Sequence, residues 1–144
     1  MSRVNTYLNF NGQTEEAFNF YKSIFGTDFI SITRMKDMPR PEGAPALLES
    51  DADKIMNIQL PITAGHILMA TDALESMGHT VQVGSNVTIS LDLDSKEDAE
   101  KIYSQLLINS PESSGPLAAM PWGALWGSCQ DQYGIRWMVS AELN

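Results

Sequence analysis

The stretch Glu15-Glu16-Ala17-Phe18-Asn19-Phe20-Tyr21-Lys22-Ser23-Ile24-Phe25 has a counterpart eighty-two residues further on, and that pairing decides the fold. There, Glu97-Asp98-Ala99-Glu100-Lys101-Ile102-Tyr103-Ser104-Gln105-Leu106-Leu107 repeats the acidic pair, the Ala, the Tyr and the apolar stripe. Ala17, Phe20, Tyr21 and Ile24 recur at i, i+3, i+4 and i+7, which predicts a helix with one buried face. Acidic residues in the first turn suit the positive end of a helix dipole. Thr14 is placed to cap the first helix, Ser95 with Asp98 has capping-box spacing at the second, and Gly26 is placed as a stop.

Working outward, each helix follows a strand. Leu8 and Phe10 alternate with Asn5, Tyr7 and Asn9, and Ile89, Leu91 and Leu93 alternate with Thr88, Ser90 and Asp92, the period of two of a half-buried strand. Further strands are predicted over Phe29 to Met35, Met56 to Ile62, His66 to Thr71, Ser113 to Leu117, Ala124 to Gln130 and Ile135 to Ser140. Pro61 points to a sheet edge or strand end. Asp131-Gln132-Tyr133-Gly134 reads as a hairpin connection. The chain is therefore expected to be an α+β single domain over 1–144, made of two tandem βαβββ units at about 1–74 and 86–144. Leu74 to Asn86 connects them. Lys36 to Lys54, with three prolines, is too long for a simple turn and is a candidate lid.

Composition narrows the function. Among 144 residues, 18 acidic and 9 basic side chains give a net charge of −9. Nucleic acid and anionic membrane surfaces need a basic stripe, and none is present. No apolar run reaches bilayer length and Met1 to Asn5 carries no apolar signal core, so a cytoplasmic location is expected. Cys129 is the single cysteine, which excludes an internal disulfide and a cysteine zinc cluster; a packed strand thiol is the expectation. No glycine-rich phosphate loop, dinucleotide fingerprint or nucleophile elbow occurs.

The order and spacing of Tyr7-Leu8-Asn9-Phe10-Asn11-Gly12, Glu16-Ala17, Phe20-Tyr21, Phe25-Gly26, Ile67 to Asp72, and Trp122-Gly123 through Met138 resemble the vicinal oxygen chelate superfamily. That superfamily includes glyoxalase I, bleomycin-resistance proteins and extradiol dioxygenases. The likeness is nearest to its PhnB branch, which often carries the label 3-demethylubiquinone methyltransferase domain. No glycine-rich βαβ signature of a typical S-adenosylmethionine enzyme accompanies that label here. The resemblance implies curled four-stranded sheets with a cleft on the faces turned away from the helices.

On that basis the candidate ligand-binding residues are Asn5, Tyr7, Leu68, Asp72, Thr88, Ser90, Trp122, Trp126, Arg136 and Met138. Metal-dependent relatives hold their ion from the first and last strand of each unit, at positions equivalent to Asn5, Leu68, Thr88 and Met138. These are poor ligands for a divalent ion, and neither His66 nor His79 stands in for them, so no metal and no cofactor is expected. Asp72, Asp92 and His66 are weaker acid–base candidates, and the catalytic residues, like any activity, stay unassigned. Trp137, in parity with Ile135 and Val139, reads as core. The leading expectation is a protein that binds a small apolar or aromatic ligand in a metal-free cleft, as a homodimer. The alternatives are a metal-dependent glyoxalase- or dioxygenase-type enzyme and a dimerisation module with a vestigial cleft.

Overall fold

In β1 (Thr6–Phe10) Phe10 is buried and Leu8 half-buried, while Tyr7 and Asn9 are exposed. The computed structural model describes residues 1–112 and 114–143. After β1, Gly12 at φ 83° turns the chain into α1 (Thr14–Phe25), a conformation glycine adopts without strain. Gly26 stops α1 in the left-handed region, donating its N–H to Lys22 O at 2.9 Å.

The buried stripe of α1 is Thr14, Ala17, Phe18, Tyr21 and Ile24. Phe18 therefore holds the central place expected of Phe20, which is only half-buried. Its ring meets Phe10 and Tyr21 edge-on, with centroids 6.5 and 5.7 Å apart. Thr14 does not cap the helix. It is the first helical residue, its hydroxyl has no hydrogen-bond partner among the described residues, and its N–H donates to Asp72 Oδ1 at 3.0 Å.

Strands β2 (Ser31–Arg34), β3 (Ile55–Pro61) and β4 (Ile67–Asp72) complete a sheet of order β1-β4-β3-β2. β1 runs parallel to β4 and the other pairs are antiparallel. Pro61 is the last residue of its strand. The long loop before β3 is fastened at both ends. Met35 N–H donates to Lys54 O and Lys36 N–H to Ala52 O. Arg34 donates to both Glu15 carboxylate oxygens (3.1 and 2.6 Å) and to Asp53 O. Buried Asp51 accepts from Lys54 Nζ at 2.8 Å and from Ser76 Oγ at 2.6 Å.

The second half repeats the pattern with β5 (Ile89–Leu93), α2 (Lys96–Leu106), β6 (Ala118–Ala119), β7 (Ala124–Gln130) and β8 (Arg136–Glu142), in the order β5-β8-β7-β6. Among the described residues, two α-helices and eight strands in two open, mixed four-stranded sheets are the tandem βαβββ arrangement that the sequence predicts. The chain divides into the compact units Met1–Gln82 and Val83–Asn144. Ser95 caps α2, its Oγ accepting the Asp98 N–H at 3.1 Å. The short strand expected at Ser113 to Leu117 lies instead at Ala118–Ala119, and Ser113 itself falls outside the described residues.

Each helix covers one face of its own sheet: α1 lies on β3 and β4, α2 on β5, β7 and β8. In the second unit Gly127 lets Tyr103 approach the sheet. A Cβ there would sit 2.8 Å from Leu117 Cδ2 and 3.0 Å from Tyr103 Cζ. Trp137 is fully buried, and its Nε1–H donates to Asp131 Oδ2 at 2.8 Å. Asp131 Oδ1 accepts the N–H groups of Tyr133 and Ile135, which shapes the hairpin between β7 and β8. Among the described residues no helix is long and apolar enough to cross a membrane.

Candidate functional site

Residues paired across neighbouring strands share a face of the sheet. In the second unit, Ser90 pairs with Met138, which pairs in turn with Ser128; Asp92 pairs with Ser140, which pairs with Trp126. These residues, with Arg136 opposite Gln130, occupy the face turned away from α2. Leu91, Cys129, Trp137 and Val139 occupy the other face and are buried. Four predicted site residues, Ser90, Trp126, Arg136 and Met138, thus come together. Thr88 has the same parity and lies just before β5, exposed. Arg136 is engaged, with Nη1 3.4 Å from Glu112 Oε1.

Trp122 stands apart from the strands, 68% exposed, at the tip of the turn between β6 and β7. That turn is closed by Gly123 N–H donating to Met120 O at 3.0 Å. Trp122 rims a depression of about 800 Å³ at one end of the sheet, which Asp92, Asp94, Ser140 and Glu142 also line.

In the first unit the prediction splits. Tyr7 is 49% exposed on the face away from α1, and Asn5 is half-buried just before β1, its Oδ1 accepting the Ile67 N–H at 3.3 Å. Leu68 and Asp72 do not join them. Thr6 pairs with Leu68 and Phe10 with Asp72, so both lie on the helix-covered face, at 0% and 4% exposure. Asp72 is structural: its two oxygens accept the N–H groups of Thr14 and Ile55. The residue that sequence reasoning missed is Met69, which pairs with Tyr7 and Gln59 on the open face. It is the register twin of Met138, since Tyr7 stands to Met69 as Ser90 stands to Met138. Laying Ile67-Leu68-Met69-Ala70 over Arg136-Trp137-Met138-Val139 on the shared methionine would have found it.

The remaining acid–base and nucleophile candidates are tied into the fold. His66 Nε2 lies 2.8 Å from Thr6 Oγ1. Burial pushes the Cys129 thiol up to about 11, with the Asp131 charge adding to the effect, so it is a packed strand thiol and a poor nucleophile.

A family model described as 3-demethylubiquinone-9 3-methyltransferase matches residues 2–140. The chain belongs to this family. A crystal structure of protein PA1353 from Pseudomonas aeruginosa is 30% identical, with both chains covered in full and a TM-score of 0.82. A putative 3-demethylubiquinone-9 3-methyltransferase, the PhnB protein of Bacillus cereus, is 22% identical over 97% of this chain and 99% of its own, with a TM-score of 0.71. The fosfomycin resistance protein FosX from Listeria monocytogenes, solved with Mn(II) and sulfate, is 13% identical over 97% of this chain and 91% of its own, at a TM-score of 0.60. That likeness carries the fold alone. No curated protein matches the chain. It is a PhnB-like protein with the vicinal oxygen chelate fold.

The resemblance implies metal positions on the first and last strand of each unit. With Met69 in place of Leu68, the equivalent side chains here are Asn5, Met69, Thr88 and Met138: an amide, two thioethers and a hydroxyl. This donor set does not fit a divalent ion held by carboxylate and imidazole ligands: the thioethers are soft donors, and the amide and hydroxyl are weak neutral ones. Among the described residues, no three His, Cys, Asp or Glu side chains gather as a metal site.

Proposed function

We propose that this PhnB-like protein binds a small apolar or aromatic molecule, without a metal, on the open sheet face of Val83–Asn144. One observation carries the reading. Trp126 lies half-buried on the face that α2 leaves uncovered, paired with Ser140 and two residues along from the Met138–Ser128 pair, which Ser90 flanks. An apolar surface with a few hydroxyls placed on it is the usual character of a small-molecule site, and an indole offers a flat stacking wall. In this reading Trp126 and Met138 supply contact area, the serines orient the ligand, and Arg136 is held back by Glu112. The protein works in the cytoplasm, where a free buried thiol is stable, and as a homodimer; the reaction, if it has one, is unassigned.

Calorimetric titration with neutral planar aromatics such as acridine, at mildly alkaline pH, tests this. Binding is expected, unchanged by a chelator, and weakened about tenfold by Trp126→Ala, in keeping with the loss of one stacking partner. Stoichiometric metal in protein purified without chelator, together with binding that the chelator abolishes, would favour the metal-dependent alternative. Absence of binding to any planar aromatic would overturn the reading, and sedimentation as a monomer would remove the homodimer.

A further inference from the structure

We propose that Asn11 is a site of spontaneous modification: attack by the Gly12 main-chain nitrogen expels its side-chain amide and leaves aspartate or isoaspartate in the turn between β1 and α1. Asn11-Gly12 is the one place in the chain where an asparagine precedes a glycine. Ring closure needs the next residue's nitrogen to reach the amide carbon, and glycine presents no Cβ to obstruct it. The fold leaves that approach open. Strand pairing ends at Phe10, both turn residues are exposed, and Gly12 sits at φ 83°. Among the described residues neither the Gly12 N–H nor the Asn11 side chain forms a hydrogen bond, so no such bond ties down either reacting group.

The reaction balances with water as the only co-reactant. The Gly12 nitrogen gives up its proton and bonds to Asn11 Cγ, the bond from Cγ to its own nitrogen breaks, and ammonia leaves with that proton. The five-membered imide then adds water at either carbonyl. Opening at the main-chain carbonyl routes the chain through Cγ as isoaspartate; opening at Cγ gives aspartate. Positive charge lies close by. Lys54 packs against the turn, its Cε 3.9 Å from where a Cβ on Gly12 would stand, and the positive end of α1 begins at Thr14. Both attract the negative charge that develops on the nitrogen and remains on the new carboxylate. The duplication shows that an aspartate fits. Phe10 and Leu93 end matching strands, so Asn11 stands where Asp94 stands in the second unit, exposed and just ahead of α2. Isoaspartate instead lengthens the main chain by an atom ahead of Thr14, whose N–H donates to Asp72 Oδ1 at 3.0 Å.

Incubation of the native full chain at mildly alkaline pH, followed by digestion and mass spectrometry, tests this. The Asn11 peptide should gain the mass difference between an amide and an acid and separate into two products. The intact chain should shift by a single negative charge on anion exchange, and Asn11→Gln should abolish both changes. Asn11→Asp should unfold at the same urea concentration as the parent, and aged protein rich in isoaspartate at a lower one. An Asn11 peptide that keeps its mass in the native chain but changes in the urea-unfolded chain would overturn the proposal, because the turn would then protect the site. Amide loss at another asparagine ahead of Asn11 would overturn it as well.

Discussion

Asp72 accepts two backbone N–H groups, from the first residue of α1 and the first residue of β3, and so performs the capping that Thr14 does not. Asp72→Ala leaves two buried donors unpaired at about 1–3 kcal/mol each. A loss of about 3 kcal/mol is therefore expected in urea unfolding, against well under 1 kcal/mol for Asp92→Ala on the exposed face. In the sequence both aspartates end a strand and look alike. What separates them is the position of donors 58 and 17 residues away, which no local pattern displays. Cys129 was easier to read, since its neighbours Trp126, Gly127 and Ser128 hold nothing that would activate a thiol. With its thiol raised to about 11 by burial, the thiolate fraction near pH 8 is about a thousandth. Native protein should resist alkylation by iodoacetamide, and urea-unfolded protein should react readily.

The faces of strands that alternate apolar and polar residues are legible in the sequence, and those of uniformly apolar strands are not. β7 begins and ends where the sequence predicts, and the polar residues of β1 and β5 face away from the helices. β4 is different: Ile67, Leu68, Met69 and Ala70 are all apolar, so the sequence offered no period by which to choose a face. The pairing with β1 makes the choice, and a slip of one residue exchanged Met69 for Leu68. The loop before β3 looked like a lid from its length and prolines, but its ends are held by ion pairs that only the fold brings together. Arg34 hydrogen-bonds Glu15, Lys54 and then Ser76 hydrogen-bond Asp51, and Lys36 hydrogen-bonds Asp53; each partner holds its carboxyl below the ordinary range. Carboxyls lowered by folding stabilise it fully above their unfolded values, near pH 4, and that contribution is lost as pH falls through the lower folded values. Backbone amides of residues 35–54 should therefore lose hydrogen-exchange protection below about pH 4, before those of β3 and β4. Uniform loss across the first unit would show that these ion pairs do not hold the loop.

The duplication seen in two helices extends to strand order and register. It is not an exact copy. The helices align at an offset of 82 and the strands before them at 83, because the chain between β5 and α2 is one residue shorter than that between β1 and α1. Each unit also builds a core of its own between one helix and one sheet face. Leu68 belongs to the first core and Leu106 to the second, both at 0% exposure. Buried Leu→Ala changes cost about 2–5 kcal/mol through lost transfer energy and the cavity left behind. Each substitution should thus destabilise by about 3 kcal/mol, and the double variant by the sum to within about 0.5 kcal/mol, since each leucine packs between the helix and sheet of its own unit. The Leu68→Ala arm decides a second point. A leucine on the ligand-facing surface would be nearly neutral in stability and would alter binding, whereas one under α1 costs stability and leaves acridine affinity unchanged. A near-neutral Leu68→Ala would return that residue to the site and reverse the parity of β4. A strongly non-additive double variant would instead show one shared core in place of two.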